Sequence, residues 1–355
     1  MWAALFLTWH QGLLIDDASR YYEQKVVIDS HVSSWMVKFY AHLYYWKAII
    51  DIVIIGYVIR WFICAAAPLW WYCLVRRPTK ASNGYHLDMD KWAVLTGCTD
   101  GIGRAYTLQL AKRGLSKFML IARNSEKLAD LANEINQIQS TAKIEVFVID
   151  FLEPDWTQLT QAIQDGGREI GLLVNCAGLA VPYAAKFADY EQNIATNIVK
   201  VNIEAMVKLV DLILPQMVRN GYGAVVNVGS IVGSYPMTKC STYASTKAFV
   251  SCFTEALAAE YPNNGIRFQC LVPCVVRTKM VRTVESGGQY LYVNAQQYAH
   301  EAVDQLLYST LVTQSGCFTH DILVTLLSFL PSSLAQYVGM GAASWTPGGR
   351  KRHHQ

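Results

Sequence analysis

Residues 92–113 read WAVLTGCTDGIGRAYTLQLAKR, and this stretch decides the fold. Trp92–Thr96 is a short apolar run with strand character, and a helical stretch runs from Arg104 to Arg113. Between them stands Gly97-Cys98-Thr99-Asp100-Gly101-Ile102-Gly103. Glycines at a strand-to-helix turn let the backbone approach a pyrophosphate held at the helix N-terminus. The spacing is TGxxxGIG rather than GxGxxG, and a tight turn without ligand is the competing reading. Gly97, Asp100, Gly101, Ile102, Gly103 and Arg104 are the candidate cofactor contacts of this turn.

Outward from this turn, apolar runs alternate with helical segments. They are Lys117–Ala122 (KFMLIA), Ile144–Ile149 (IEVFVI), Gly171–Asn175 (GLLVN), Ala224–Val228 (AVVNV) and Arg267–Val272 (RFQCLV). Continuous apolar strands joined by helical crossovers imply a parallel sheet covered on both faces. The expected fold is α/β, a Rossmann-type doubly wound parallel sheet forming a single catalytic domain over residues 88–320. The strand after the first helix ends at Ala122-Arg123, 20 residues past Gly103. An acid at that place would bind the ribose hydroxyls of NAD. Arg123 instead offers a cation to the 2′-phosphate of NADP, with Arg104 as a second one, so NADPH is the expected cofactor. An exposed strand-end arginine is the alternative.

Tyr243 and Lys247 lie four apart in STYASTKAF, at the start of an expected helix Tyr243–Glu260. That spacing puts both side chains on one face, a turn apart. A free tyrosine has a pKa near 10, and a neighbouring ammonium stabilises the phenolate and is expected to lower it. Ser230 ends GAVVNVGS, 13 residues before Tyr243, where its hydroxyl can meet a substrate carbonyl at the strand's C-terminal edge.

With these motifs in order, residues 88–320 resemble the short-chain dehydrogenase/reductase family. The shared set is TGCTDGIG at Thr96–Gly103, Asp150 after the third strand, NCAG at Asn175–Gly178 and Asn202 in KVNIEA. Ser230, Tyr243-Ala-Ser-Thr-Lys247, and Pro273 and Thr278 in LVPCVVRTKM complete it. The resemblance implies that Asp150 sits at the adenine and that Asn175, Gly178 and Pro273 line the cofactor. Thr278 binds the nicotinamide carboxamide on the same grounds. Asn202 holds a water that relays protons to Lys247, and Lys247 binds the nicotinamide ribose. Ser230 orients the carbonyl, Tyr243 protonates its oxygen, and hydride comes from the nicotinamide. The sequence departs from the family pattern at Cys176, where NNAG reads NCAG, and at Cys274, where a glycine usually follows the proline.

TDGIGRAY, LIARN and LVPCVVRTKM are similar to one branch of that family. It holds membrane-bound 17β-hydroxysteroid dehydrogenases, very-long-chain 3-oxoacyl-CoA reductases and hydroxysteroid dehydrogenase-like proteins. That resemblance implies a lipophilic ketone substrate, a 3-oxoacyl-CoA or a 17-ketosteroid. It also implies the endoplasmic reticulum membrane with the catalytic domain facing the cytosol, and pairing into a homodimer through the long helices after the fourth and fifth strands. A catalytically inactive, cofactor-binding scaffold is the alternative function. The catalytic set weighs against it, since Asn202, Ser230, Tyr243 and Lys247 are all present.

The remaining chain accounts for the apolar excess. Hydrophobic residues make up 52% of the 355 residues and charged ones only 16%. Ala48–Val75 is an apolar run interrupted by Asp51 and Arg60, long enough for the roughly 20 residues a spanning helix needs. Arg60 at its middle would cost about 2.5–3.5 kcal/mol, reduced by snorkelling or by a span starting after it. A buried helix or a membrane-surface hairpin is the other reading. Arg76, Arg77 and Lys80 follow, and by the positive-inside rule they place the later residues in the cytosol. Residues 1–87 are thus read as an N-terminal membrane-anchoring helical region with its anchor at 48–75. Residues 321–355 are read as an apolar segment, Asp321–Met340, with a basic tail. The first 17 residues lack a basic start and a cleavage site, so neither secretion nor mitochondrial import is supported. Net charge is +3 and dispersed, which excludes a nucleic-acid partner on composition. Nine cysteines without a CxxC pair argue against a disulfide framework and against any metal site.

Overall fold

In the computed structural model, β1 (Trp92–Thr96) is the strand that the opening stretch predicts, with Ala93, Val94 and Leu95 wholly out of solvent. The structure describes residues 32–75, 86–164, 167–182, 185–278 and 292–328, together with residues 330 and 334. The chain divides into two units, residues 1–67 and 68–355.

The described part of the first unit belongs to α1 (Val32–Val75), a continuous helix of 44 residues that runs on past the end of that unit. Apolar side chains stand exposed along it from Phe39 to Ile63. No helix, among the described residues, is long and apolar enough to cross a membrane. The physical reason is charge: Lys47, Asp51 and Arg60 leave no unbroken apolar stretch beyond the eight residues 52–59 in the part whose side chains are described. Lys47 and Asp51 pair at 2.8 Å across one turn. The predicted anchor at 48–75 is therefore a helix here, without a described span. Side chains of residues 64–75 lie outside the described residues, as do Arg76, Arg77 and Lys80, on which the predicted orientation rests.

In the second unit, α2 (Gly101–Lys112) follows β1, then β2 (Lys117–Ala122), α3 (Ser125–Ile138), β3 (Lys143–Val148), α4 (Thr157–Gln164) and β4 (Ile170–Asn175). The second half runs α5 (Ile194–Val199), a π-helical turn (Lys200–Glu204), α6 (Ala205–Asn220), β5 (Gly223–Val228), α7 (Ile231–Ser234) and α8 (Ser241–Glu260). It ends β6 (Ile266–Leu271), β7 (Val276–Arg277), β8 (Val293–Asn294), α9 (Ala295–Tyr308), β9 (Thr313–Gln314) and α10 (Phe318–Ser328). Seven strands form one sheet in the order β3-β2-β1-β4-β5-β6-β9, every pair parallel. Parallel strands need crossovers, and the helices supply them. One apolar layer gathers around Leu110, Phe118 and Tyr298, the other around Met119, Leu173, Ile213 and Phe268. Alternate residues of β1, β2, β4, β5 and β6 enter opposite layers, which is why these strands read as unbroken apolar runs, whereas the edge strand β3 exposes Val146 and Val148.

The chain order reverses between β1 and β4, so the crevice at their C-terminal ends is where a ligand fits this architecture. At the other end of the chain α10 covers the start of the predicted apolar segment. It buries His320 and Leu327 and exposes Ile322 and Leu326. The N-terminal residues 1–31, most of the loop between Lys279 and Tyr298, and the basic tail lie outside the described residues.

Candidate active site

The glycine turn is fixed from three sides. Thr96, the last residue of β1, accepts hydrogen bonds at Oγ1 from the backbone N–H groups of Cys176 and Ala177, both at 3.1 Å. That clamps the ends of β1 and β4 together at the crevice. Gly97 has φ +59°, and a Cβ there would stand 2.7 Å from the Ala177 backbone, so only glycine fits. Asp100 caps α2, its Oδ1 accepting from the Gly101 N–H at 2.9 Å. Gly101, at φ +52°, would bring a Cβ to 3.0 Å from the Thr278 methyl. Thr278 therefore lies directly on the glycine turn, a contact between residues 177 positions apart. Ile102 and Gly103 form the first turn of α2, with Ile102 packed on the core.

Further along the crevice, Arg123 is exposed at the end of β2 with no ion-pair partner among the described residues. Arg104 is not equally available, because its Nη2 is bonded to the Glu134 carboxylate of α3. Asp150 is exposed just past β3, its Oδ1 accepting from the Leu152 N–H at 3.0 Å. Asn175 ends β4 and donates from Nδ2 to Asn227 Oδ1 at 2.9 Å. Its own Oδ1 is buried without a partner among the described residues. Pro273 holds the far wall, its carbonyl accepting from the Ile231 N–H at 3.0 Å.

The catalytic candidates meet where β5 ends. Ser230 caps α7, and its hydroxyl is hydrogen-bonded to Tyr243 on the first turn of α8. Lys247 is buried, with Nζ donating to the Val228 carbonyl at 2.7 Å. Nζ stands 5.8 Å from the centre of the Tyr243 ring. The predicted lowering of the tyrosine pKa is corrected here. Burial pushes Tyr243 up to about 12, and the Ser230 hydrogen bond only partly offsets it. Burial likewise moves Lys247 below its usual value. Desolvation of the charged form is the largest cause for each of them.

Asn202 lies in the π-helical turn, fully buried. Its Oδ1 accepts from the Leu179 N–H at 2.7 Å, and its Nδ2 donates to the Leu179 carbonyl at 3.1 Å and to Thr246 Oγ1 at 2.9 Å. The side chain is thus a clamp between the loop after β4 and α8. A Cβ on Gly178 would stand 3.6 Å from Lys247 Nζ and 3.7 Å from Asn202 Oδ1, so its glycine keeps the floor of the crevice open. A cavity of about 10 Å³, bordered by Asn175, Asn202, Val228 and Lys247, lies beneath. Cys176, the departure in NCAG, sits behind the glycine turn. Burial raises its thiol to about 11, so it stays protonated and packs rather than reacts.

Three polar residues of this site have roles that the motifs alone do not spell out. Thr96 does so as the clamp, and Thr246 because its hydroxyl donates to the Tyr243 carbonyl at 2.8 Å. Asn227 is the third. Paired in register with Asn175, it is a polar residue in the apolar run GAVVNV, and that cost of burial was its signal. The positive-φ glycines, the orphaned Asn175 Oδ1 and the unpaired Arg123 fit a dinucleotide. Gly97, Gly101, Asn175, Gly178 and Lys247 would hold it, and it would supply hydride. Among the described residues no group of His, Cys, Asp and Glu could hold a metal ion.

A family profile described as short chain dehydrogenase matches residues 91–288. A very-long-chain 3-oxoacyl-CoA reductase of Anas platyrhynchos is 36% identical over 249 residues, covering 68% of this chain and 76% of the relative. An inactive hydroxysteroid dehydrogenase-like protein 1 of Homo sapiens is 34% identical over 275 residues, covering 74% and 80%. Among solved structures, a short-chain dehydrogenase from Sphingobium yanoikuyae in complex with NADPH superposes with a TM-score of 0.55. It is 27% identical and covers 61% of this chain and 84% of its own.

Proposed function

The chain belongs to the short-chain dehydrogenase family of oxidoreductases, and from that premise we propose that it uses NADPH to reduce the ketone of a lipophilic 3-oxoacyl-CoA. The observation that carries the reaction is the joining of Ser230, Tyr243 and Lys247 at one strand end. Ser230 positions the carbonyl oxygen by a hydrogen bond. Tyr243 gives that oxygen its proton, and the bound dinucleotide would supply the hydride to the carbon, so that the C=O bond becomes CH–OH. With its pKa raised, the Tyr243 hydroxyl is held as the acid that reduction requires. Lys247 restores the proton, and the small cavity beside Asn202 has the volume of one bridging water. Since the Asn202 side chain is engaged, the main chain of the π turn is left to hold that water.

Arg123 supports NADPH over NADH, because a free guanidinium at the end of β2 matches a 2′-phosphate. The relative from Anas platyrhynchos supports the thioester over a ketosteroid. The test is NADPH oxidation by the detergent-purified protein with long 3-oxoacyl-CoAs and with 17-ketosteroids. Turnover of the CoA esters is expected. A cofactor-binding scaffold without turnover is the second reading, favoured by the name of the human relative. Tight NADPH binding with no turnover of either class would select it.

We also propose that residues 1–75 hold the protein at the endoplasmic reticulum membrane, with the catalytic unit in the cytosol. Support comes from the apolar residues that α1 exposes on all its faces.

A further inference from the structure

We propose that a groove beside the dinucleotide crevice, sharing Asp100, Gly101, Arg104 and Thr278 with it and lying between α2 and the start of α9, binds the phosphate-bearing nucleotide handle of the acyl-CoA substrate. The inference rests on the thioester reading above and adds the subsite that would make it selective.

The groove is a cavity of about 510 Å³, within the range of small-molecule sites. One wall is a stripe of α2. Arg104, Leu108 and Lys112 follow one another at intervals of four, so they share a face. The other wall is Arg277 of β7 with Ala295 and Gln296 at the first turn of α9. The two helices are held in place by Arg113, which donates to Asp304 Oδ1 at 2.6 Å and to the His300 carbonyl at 3.0 Å. The groove reaches Gly101, expected at the pyrophosphate, and Thr278, expected at the nicotinamide carboxamide. Arg123, Asn175 and Lys247 do not line it.

Charge and polarity define the occupant. Lys112 and Arg277 are exposed and without an ion-pair partner among the described residues, while Arg104 is shared with Glu134. The acid at the rim, Asp100, is occupied by the Gly101 N–H and stands 3.6 Å from Lys127. Two cations without an ion-pair partner among the described residues, Lys112 and Arg277, thus line the groove with the apolar Leu108 and Ala295, while Arg104 is balanced by Glu134 and Asp100 is engaged. Cations around an apolar floor suit phosphates joined to a base and to a thin chain. The positive ends of α2 and α9 point the same way. A steroid, with no phosphate, would use none of these cations.

The experiment titrates CoA itself into the full-length, NADPH-saturated protein by calorimetry, for the wild type and for Lys112→Ala/Arg277→Ala. CoA should bind without displacing NADPH, and the double variant should weaken that binding at least tenfold with NADPH affinity unchanged. The KM for a 3-oxoacyl-CoA should rise by a similar factor. Turnover of the matching N-acetylcysteamine thioester, which carries no phosphate, should stay within twofold. Lys112→Glu alone should repeat the loss for CoA more strongly. Displacement of NADPH by CoA, or wild-type CoA affinity in the double variant, would overturn the proposal. Cation-dependent CoA binding by a protein that reduces neither thioester would leave the groove standing and sink the reductase reading instead.

Discussion

At the scale of single residues, the reaction turns on one hydroxyl. Tyr243→Phe removes only that group, so folding and NADPH binding should survive while turnover falls by about 10²–10⁴-fold. A steady-state assay beside a direct NADPH titration checks both. The titration of Tyr243 separates the two accounts of its environment. Reduction needs the protonated phenol, so activity is lost as pH rises through its pKa. With burial holding that pKa near 12, the rate should stay level from pH 7 to 9. A basic limb falling near neutrality would show that Lys247 dominates after all. Arg123→Asp places a carboxylate where the 2′-phosphate is expected. Losing a charge-assisted pair is worth about 1.5–3 kcal/mol, so NADPH binding should weaken at least tenfold and the preference should move toward NADH. Unchanged preference would refute the role of Arg123. The Ser-Tyr-Lys set was legible because its spacing follows from the helix period. The pKa direction was not, since how deeply α8 buries Tyr243 depends on the elements packed around it.

At the scale of elements, six strands were readable to within about one residue at each end, because the five inner ones fill two apolar layers at once and the edge strand β3 is apolar even where it is exposed. β9 was not. It is two residues long, Thr313–Gln314, and its buried Gln314 is bonded to Gln269 instead of packing as an apolar side chain. Nor was the π turn at Lys200–Glu204, where a helix-forming sequence takes one extra residue and turns Asn202 toward Leu179. α10 matters to the site in a way its apolar pattern hid. His320 is buried, and its Nδ1 accepts from the Cys274 N–H at 3.3 Å, steadying the chain between Pro273 and Thr278. Burial holds the His320 pKa below its unfolded value. The unfolded state therefore binds the proton first as pH falls, so stability from this group is full above the unfolded value near 6.5 and drains away below it. His320→Asn keeps an acceptor without titrating. Its melting temperature should fall less than that of the wild type between pH 7 and pH 5. Equal slopes would remove His320 from the acid response. His320→Leu, which strands a buried N–H, should cost about 1–3 kcal/mol at pH 7.

At the scale of the whole molecule, an oxidoreductase unit shares its chain with a helix whose apolar residues face solvent. Phe39, Leu43, Ile52, Ile55, Ile59 and Phe62 are each about half exposed or more. Soluble proteins rarely leave a patch of that extent uncovered. Among the described side chains of α1 the apolar ones are spread around the helix with scattered charges, which accords with the membrane attachment proposed above. The charges on it are placed to limit the cost. Lys47 and Asp51 neutralise each other one turn apart, and Arg60 has a stem long enough to reach a headgroup region. Membrane attachment through residues 1–75 should resist a carbonate wash of microsomes, and removing those residues should release the catalytic unit in soluble, NADPH-binding form. Protease added to intact microsomes should digest the chain beyond about residue 80 while sparing an N-terminal fragment. Release of the intact protein by carbonate would dismiss the anchor. Protection of the catalytic unit would leave the anchor standing and reverse its orientation.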